Sequence, residues 1–567
     1  MRSDADPNMR EAIEAVTQRG MAIREAARRY GVPRTTLQRK VQRVEVKPTH
    51  ATTDVKHEDA TSATGDASQV MTIAVPSRKR RAEEMAQSPP SPQSPQSPLT
   101  PGLASKGPRK AINGKVRMLC HSAGSALDEL SNELIMEGKS VFKLGLGQSP
   151  FPVPQCIVDE LRANAHQRDY LPVAGLPELR EDIARWAARA LSLPYTREDV
   201  LVGPGTKELL FVLQTVYYGD LLLPNPSCTS YAPQANIAGR NMFWLPTYAE
   251  DRWVLQPQVL EDHCAKDPEA PRILILNSPS NPTGCVYSEA ELQAVAEVAR
   301  KYRMLIISDE IYSELHHSSQ HCSVSKFYPE GTIVSGGLSK WCGAGGWRIG
   351  FWLFPSSLDW LKKSMLVMAS ETYTSVASPI QHAARRAFQL DCIELDAYKG
   401  KCCKILKIIG QWCYYQLQKI CVDVQEPDGG FYLFPSFARH RKVLNERGII
   451  TDYELCQRLL HDTGVAILPG SVFGRDPREL YARIAFVDFK GDIALYLIES
   501  MDDFSLDAIS GFVQSVCPNL DIAMRKLAVW IANPPMTSAL PKSPIPPEPV
   551  VISPLASSLV KSGDDLN

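Results

Sequence analysis

Ser335-Gly336-Gly337-Leu338-Ser339-Lys340-Trp341-Cys342-Gly343-Ala344-Gly345-Gly346-Trp347-Arg348-Ile349-Gly350 is the stretch that decides how this 567-residue chain is read. A lysine sits among small residues, and an arginine follows eight positions later. Small residues let a flat ligand approach the backbone. Arginine's planar fork suits a phosphate, and lysine is the cation whose pKa a buried site can lower toward free amine.

On the N-terminal side of this stretch, apolar strands alternate with amphipathic helices. Ile273-Leu274-Ile275-Leu276 and Met304-Leu305-Ile306-Ile307 read as strands, with a helix over Ser288–Tyr302 between them. Such alternation, running from about residue 111 to 518, predicts an α/β fold built on a mostly parallel sheet. Hydrophobic residues make up 44% of the chain and charged residues 22%, ordinary values for a globular protein. The formal net charge of −1 declares no nucleic-acid or membrane partner for the chain as a whole, so any such partner must be sought in a local segment. No apolar run is long enough to span a bilayer, and Met1-Arg2-Ser3-Asp4-Ala5-Asp6-Pro7 lacks the apolar core of a secretory signal. The 14 cysteines are scattered without Cys-x-x-Cys pairs, which points to free thiols in a reducing compartment and to no metal site.

With Gly-Trp-Arg-Ile-Gly after it, the Lys340 stretch resembles the pyridoxal-phosphate lysine signature of class I/II aminotransferases, the fold type I enzymes. The resemblance covers about residues 111–518. It implies pyridoxal 5'-phosphate as cofactor, amino acid and 2-oxo acid substrates, and Lys340 as the residue that carries the cofactor and shuttles the Cα proton. In Ser308-Asp309-Glu310-Ile311-Tyr312, Asp309 matches the carboxylate facing the pyridine nitrogen, and Tyr312 the phenol at the cofactor's ring oxygen. Asn281, in Asn277-Ser278-Pro279-Ser280-Asn281-Pro282-Thr283-Gly284, matches the amide sharing that oxygen. Gly205-Thr206-Lys207, after a strand expected over Asp199–Val202, should form the phosphate cup at a helix start, completed by Arg348. Tyr170 matches a tyrosine that reaches the phosphate of a neighbouring subunit, which implies a homodimer. Arg483 matches the arginine that clamps the substrate α-carboxylate, beside Asn281. The implied body has a large domain, roughly residues 165–380, and a smaller α/β domain combining 111–164 with 381–518. The site is expected at the carboxyl ends of the strands.

Three positions depart from the family pattern. Cys228, in Pro226-Ser227-Cys228-Thr229-Ser230-Tyr231, stands where an aromatic ring stacks on the cofactor, unless Tyr231 substitutes. Gly147-Gln148-Ser149-Pro150-Phe151-Pro152 replaces the usual Gly-Glu-Pro-Asp-Phe-Pro, so the usual substrate preference is not assumed. Gly337 replaces a hydroxyl residue near the phosphate. Elimination or synthase chemistry would use the same residues, and the reaction is left open at this point.

A small basic head precedes the body. Residues 1–47 carry 11 Lys/Arg against 6 Asp/Glu. They read as three helices, Met9–Arg19, Ile23–Tyr30 and one through Thr35–Arg43, with Ile13, Val16, Ala26, Ala27, Tyr30, Leu37 and Val41 sharing a core. The run Ala26-Ala27, Gly31 and Val32-Pro33-Arg34-Thr35-Thr36-Leu37 resembles the pipsqueak-type helix-turn-helix, a small all-α domain over residues 1–44. That resemblance implies DNA as partner. Arg34, Thr35, Thr36 and Gln38 would meet base edges, and Arg39, Lys40 and Arg43 phosphates. Residues 45–110 and the tail within 519–567 read as disordered and rich in Ser and Pro, the tail following a C-terminal helix remnant. The linker holds Arg78-Lys79-Arg80-Arg81, compatible with nuclear import, and Ser-Pro steps at Ser88, Ser91, Ser94 and Ser97. The expected location is nucleus, cytoplasm or both. The leading reading is an aminotransferase tethered to a DNA-binding head. The alternative is a transcription regulator that senses the cofactor or an amino acid, resembling bacterial regulators built on an aminotransferase body.

Overall fold

A computed structural model of the chain describes residues 111–117, 119, 122–317, 321–389 and 392–532, together with 11–12, 14–16, 23–32 and 37 of the head. The chain separates into two compact units, Met1–Lys106 and Gly107–Asn567.

In the head, Ile23–Arg29 is helical. Gly31 ends it at φ +63°, and the Val32 N–H reaches back to the Ala27 carbonyl at 3.0 Å. This is the glycine-capped helix end that a side chain with a Cβ would strain. Ala12, Ala26, Ala27, Val32 and Leu37 form a buried cluster, with Val16, Ile23 and Tyr30 packed against it. Arg34, Thr35, Thr36, Gln38, Arg39, Lys40 and Arg43 lie outside the described residues, as do the linker and the tail from residue 533.

The body is built on a seven-stranded sheet. Its strands are β2 (Val200–Gly203), β3 (Asp220–Asn225), β4 (Met242–Pro246), β5 (Arg272–Asn277), β6 (Leu305–Asp309), β7 (Thr332–Gly337) and β8 (Gly350–Leu353). They lie in the order β2-β8-β7-β6-β5-β3-β4. Adjacent pairs are parallel except those made by β8, which is antiparallel to both β7 and β2. Helices cover both faces, so β2, β7 and β8 are buried along their whole length. The helix between β5 and β6 spans Glu289–Lys301. Ser288 caps it by accepting from the Glu291 N–H while Glu291 reciprocates.

A smaller domain holds two short sheets. β1 (Phe142–Lys143) pairs in parallel with β10 (Val465–Ala466). β9 (Tyr432–Leu433), β11 (Leu468–Pro469) and β12 (Ala482–Ala485) form an antiparallel sheet ordered β11-β12-β9. The 27-residue helix Ile393–Lys419 leads into this domain.

Two boundaries differ from the sequence reading. The strand expected over Asp199–Val202 is Val200–Gly203, because Thr196 and Asp199 close a capping box around a 3-10 turn at Arg197–Asp199. The residues after 518 are not a remnant. Pro518–Ala532 is a full helix that buries Leu520, Ala523, Met524, Leu527, Trp530 and Ile531, so the body runs to Ala532. That spacing is the apolar stripe of a packed helix. Among the described residues no helix is long and apolar enough to cross a membrane.

Candidate active site

Most of the side chains singled out in the body gather where β2, β3, β5, β6 and β7 end, and Arg483 joins them from β12 of the smaller domain. In an open α/β sheet the crevice outside the carboxyl ends of the strands is where ligands bind. Because β8 runs the opposite way, its start brings Arg348 to the same edge.

Beyond β2 the backbone turns at Gly205, φ +90°, into the helix Thr206–Val216, whose N-cap carries no side-chain hydrogen bond. The first amides of that helix are therefore free for an anion. Arg348 Nη2 donates to the Pro204 carbonyl at 3.2 Å, and Nη1 to Gly345 at 3.0 Å. A Cβ on Gly205 would lie 2.4 Å from Arg348 Nη2, so the cup exists because residue 205 is glycine. Gly205→Ala is expected to weaken cofactor affinity by about tenfold or more, from left-handed strain of about 1 kcal/mol plus displacement of the guanidinium. Titrating the cofactor-free chain with cofactor measures it, and unchanged affinity would contradict this account of the cup.

Asp309 ends β6. Its Oδ2 accepts from the Tyr231 hydroxyl at 2.5 Å, and its backbone carbonyl from Asn277 Nδ2 at 2.8 Å. Its Oδ1 is buried with no hydrogen-bond partner. Burial pushes the carboxyl up to about 6, while the Tyr231 hydroxyl, the Ile311 N–H and Lys340 pull it down. An unpartnered buried acceptor costs about 1–3 kcal/mol unless a ligand's donor meets it. Tyr231 is thus engaged in holding Asp309, a different task from the ring stacking considered for it.

Lys340 follows β7. Its Nζ donates to the Gly147 carbonyl at 2.7 Å and lies 5.5 Å from the Tyr312 ring centre. Burial pulls the ammonium down to about 8, Arg483 and Arg348 add to that, and Cys228 and Asp309 oppose it. The Cys228 thiol is close enough to Lys340 to act on its charge. If Lys340 is the base, the rate of Cα proton removal should climb through about pH 8 and level off above it, as the amine loses its proton. A pH profile of single-turnover rates checks this, and a flat profile across that range would exclude Lys340 as the base.

Arg483, on β12, is buried. Its Nη1 donates to Asn281 Oδ1 at 2.8 Å and its Nη2 to the Gly145 carbonyl at 2.5 Å. Nε is buried without a partner, and among the described residues no carboxylate lies within ion-pair distance. The guanidinium sits 4.5 Å from the Tyr432 ring centre and 5.0 Å from that of Phe473. Asn281 is held in turn by its own N–H, which donates to Asn277 Oδ1 at 2.7 Å. A buried cation held by neutral dipoles is prepared for an anionic ligand.

Tyr312 shares a 2.8 Å hydrogen bond with Tyr432, and burial pushes both phenols up. Tyr432 went unassigned in the sequence, although Gly429-Gly430-Phe431-Tyr432 flags a close approach. A Cβ on Gly147 would come within 1.9 Å of the Tyr432 hydroxyl, so this glycine also makes room for the site. The Gly337 departure has a packing reason: a Cβ there would lie 3.0 Å from the Ile349 carbonyl oxygen and 3.1 Å from Gly350 Cα, across the β7–β8 pairing. Tyr170 is 91% exposed and is not packed into the cleft of its own chain. Lys207 is exposed at the rim of the cup and has no ion-pair partner among the described residues.

The family model for aminotransferase class I and II matches residues 139–488, more than half of the chain. This chain belongs to that family. An aspartate aminotransferase from Geobacillus stearothermophilus is 34% identical over 64% of this chain and 91% of its own length. One from Bacillus subtilis is 31% identical over the same shares. The solved aspartate aminotransferase from Thermus thermophilus with maleate superposes with a TM-score of 0.63, covering 74% of this chain and 99% of its own, at 24% identity. That likeness establishes the fold type I architecture. Residues 6–48 match the Psq helix-turn-helix domain, a DNA-binding module. The chain is thus a pyridoxal-phosphate-dependent aminotransferase carrying such a head. Its residues fit the cofactor: the open Asp309 Oδ1 suits a protonated ring nitrogen, and the Gly205–Arg348 cradle suits a phosphate.

Proposed function

We propose that this aminotransferase moves the amino group between a dicarboxylic amino acid and a 2-oxo acid, in a homodimer that its heads hold on DNA in the nucleus. The carrying observation is that the buried Lys340 amine shares its site with an open Asp309 Oδ1 and with Arg483, a buried guanidinium held only by neutral oxygens. Arg348, with the turn at Gly205 and the backbone amides of Thr206 and Lys207, would hold the phosphate; Asp309 would hold the ring nitrogen, and Tyr312 with Asn281 the ring oxygen. When bound, the cofactor supplies an electron sink for the charge left on Cα.

Arg483 grips the α-carboxylate through its fork, and the Asn281 and Gly145 oxygens fix the guanidinium plane. That grip directs the Cα–H bond toward Lys340. The Lys340 amine takes this proton at Nζ and later returns it on the other side of the transferred nitrogen. Burial serves the step because an amine near pKa 8 is partly free at neutral pH. The apolar walls of Phe431 and Phe473 exclude water from the moving proton.

The donor class rests on the curated relatives, named as aspartate aminotransferases, and on Lys207, a cation free at the rim for a second carboxylate. Lys207→Ala is expected to raise KM for aspartate and glutamate by about tenfold, the value of one exposed charge-assisted contact, and to leave alanine almost unchanged. The exposed Tyr170 supports the shared site, since a partner's cleft would cover it. The head and the Arg78-Lys79-Arg80-Arg81 cluster support nuclear DNA.

The test is the visible band of the lysine-bound cofactor in the full-length protein while amino acids are added one at a time. Conversion by aspartate or glutamate with release of the oxo acid supports the reading. A band that no amino acid changes would overturn it in favour of a sensor. DNA retention by the same protein, lost when Arg34, Arg39, Lys40 and Arg43 are neutralised, tests the head.

A further inference from the structure

The chain crosses between its two domains twice. The first crossing leads from β1 in the small domain to β2 in the large sheet, through the helix Gln155–Asn164. The second leads from β8 back to β9, through the helix Ser378–Phe388 and the long helix Ile393–Lys419. Cys156 lies in the first turn of the helix on the first crossing, and Cys392 is the residue that precedes the long helix on the second. Glu394 lies in the first turn of that helix and is exposed. The two thiol sulfurs and a Glu394 carboxylate oxygen all lie within 4.8 Å of one another. Cys156 is far in sequence from Cys392 and Glu394, which is why no metal-ligand spacing is visible there.

We propose that Cys156, Cys392 and Glu394 bind a divalent cation of the zinc class and that this cation braces the two crossings together. Two thiolates and one carboxylate are three donors of the tetrahedral zinc set, with bonds of about 2.0–2.3 Å and a fourth position for water. Small side-chain rotations bring a cluster of this width to that distance. On binding, two sulfur–metal bonds and one oxygen–metal bond form, and the two thiol protons leave to solvent.

The Arg386 guanidinium lies within reach of the Cys156 thiol. A zinc ion with two thiolates and a carboxylate carries one net negative charge, which Arg386 balances from outside the donor set. Arg386 Nη1 is already directed to Gln389 Oε1 at 2.6 Å.

The position has consequences for the cleft. Cys156 closely follows the loop Gly147–Pro154, whose Gly147 carbonyl accepts from Lys340. The long helix already touches this loop, since the Tyr398 hydroxyl donates to the Pro152 carbonyl at 2.8 Å. A cation at Cys156 and Cys392 adds a second tie between the loop and that helix.

The probe is cobalt(II) alone, added to reduced, chelator-treated full-length protein with its cofactor bound. One equivalent per chain is expected to give the visible bands of tetrahedral thiolate coordination, and zinc(II) should displace them. Cys156→Ser and Cys392→Ser should each lower cobalt affinity by more than about 100-fold, beyond what loss of an outer-shell contact costs. The exposed change Glu394→Gln should weaken it by about tenfold or more without disturbing the fold. Cys421→Ser, at an exposed thiol elsewhere, should change nothing. Absence of the bands, or bands that persist in both serine variants, would overturn the proposal. So would a Cys156–Cys392 disulfide in protein handled without reductant if, after reduction, that protein shows no cobalt affinity.

Discussion

Lys340→Ala is expected to lower kcat/KM for every amino acid by more than about 10⁴-fold. The upper end of the range for a positioned general base supplies this figure, and loss of the cofactor's attachment adds to it. The amine is shaped for the task by its surroundings: burial first, then Arg483 and Arg348, bring it down to about 8, while Cys228 and Asp309 hold it from falling further. The Gly147 carbonyl, 2.7 Å away, fixes where Nζ waits. Thermal stability should not fall with activity, because the change removes a charge from a desolvated place and breaks one hydrogen bond. Activity and melting temperature measured on one preparation separate the two effects. A variant that keeps more than about one hundredth of wild-type turnover would show that another group moves the proton. Tyr312 and Tyr432 would be the first to examine, though burial holds both as neutral phenols.

Much of this site could be read from the sequence because its parts stand at strand ends. Glycine, asparagine and aspartate just past an apolar run mark a turn at the sheet's carboxyl edge, and Gly205, Asn277 and Asp309 stand where β2, β5 and β6 finish. Arg348 was legible from its glycine-rich context, which pairs Gly337 with Gly350 and leaves the arginine at the strand's start. What escaped were contacts made between distant segments. Tyr231 begins a helix after β3, and nothing near it in sequence shows that its hydroxyl meets Asp309 on β6. Tyr432 looks like one more apolar position in Phe431-Tyr432-Leu433-Phe434. Its role comes from β9 pairing with β12, which sets it beside Arg483, and from the missing side chain at Gly147. The helix Pro518–Ala532 reads in sequence only as a remnant at the edge of the proline-rich tail, although its apolar stripe is regular.

Asp309→Asn should reduce kcat by about 10³-fold, the upper range for removing one preorganised electrostatic partner, while leaving phosphate affinity nearly unchanged. The two carboxylate oxygens have separate duties. Oδ2 is taken by the Tyr231 hydroxyl, and Oδ1 is buried and open. Asparagine can still accept from Tyr231 with its oxygen, but it then presents an NH₂ where Oδ1 stood. Two donors face each other if the ring nitrogen is protonated, so the substitution favours the neutral ring, which draws charge from Cα less strongly. Tyr231→Phe removes one donor from the carboxylate instead. Because burial already holds Asp309 up at about 6, losing that donor moves it higher. The carboxylate is ionised above its pKa, so the Tyr231→Phe defect should deepen as pH falls toward 6 and shrink as pH rises. The Asp309→Asn defect should not recover at any pH, since no ionisable group remains there. Pre-steady-state rates across pH for both variants distinguish these outcomes. A Tyr231→Phe defect independent of pH would mean that the tyrosine only fills space, and full activity in Asp309→Asn would remove Asp309 from the proposed machinery.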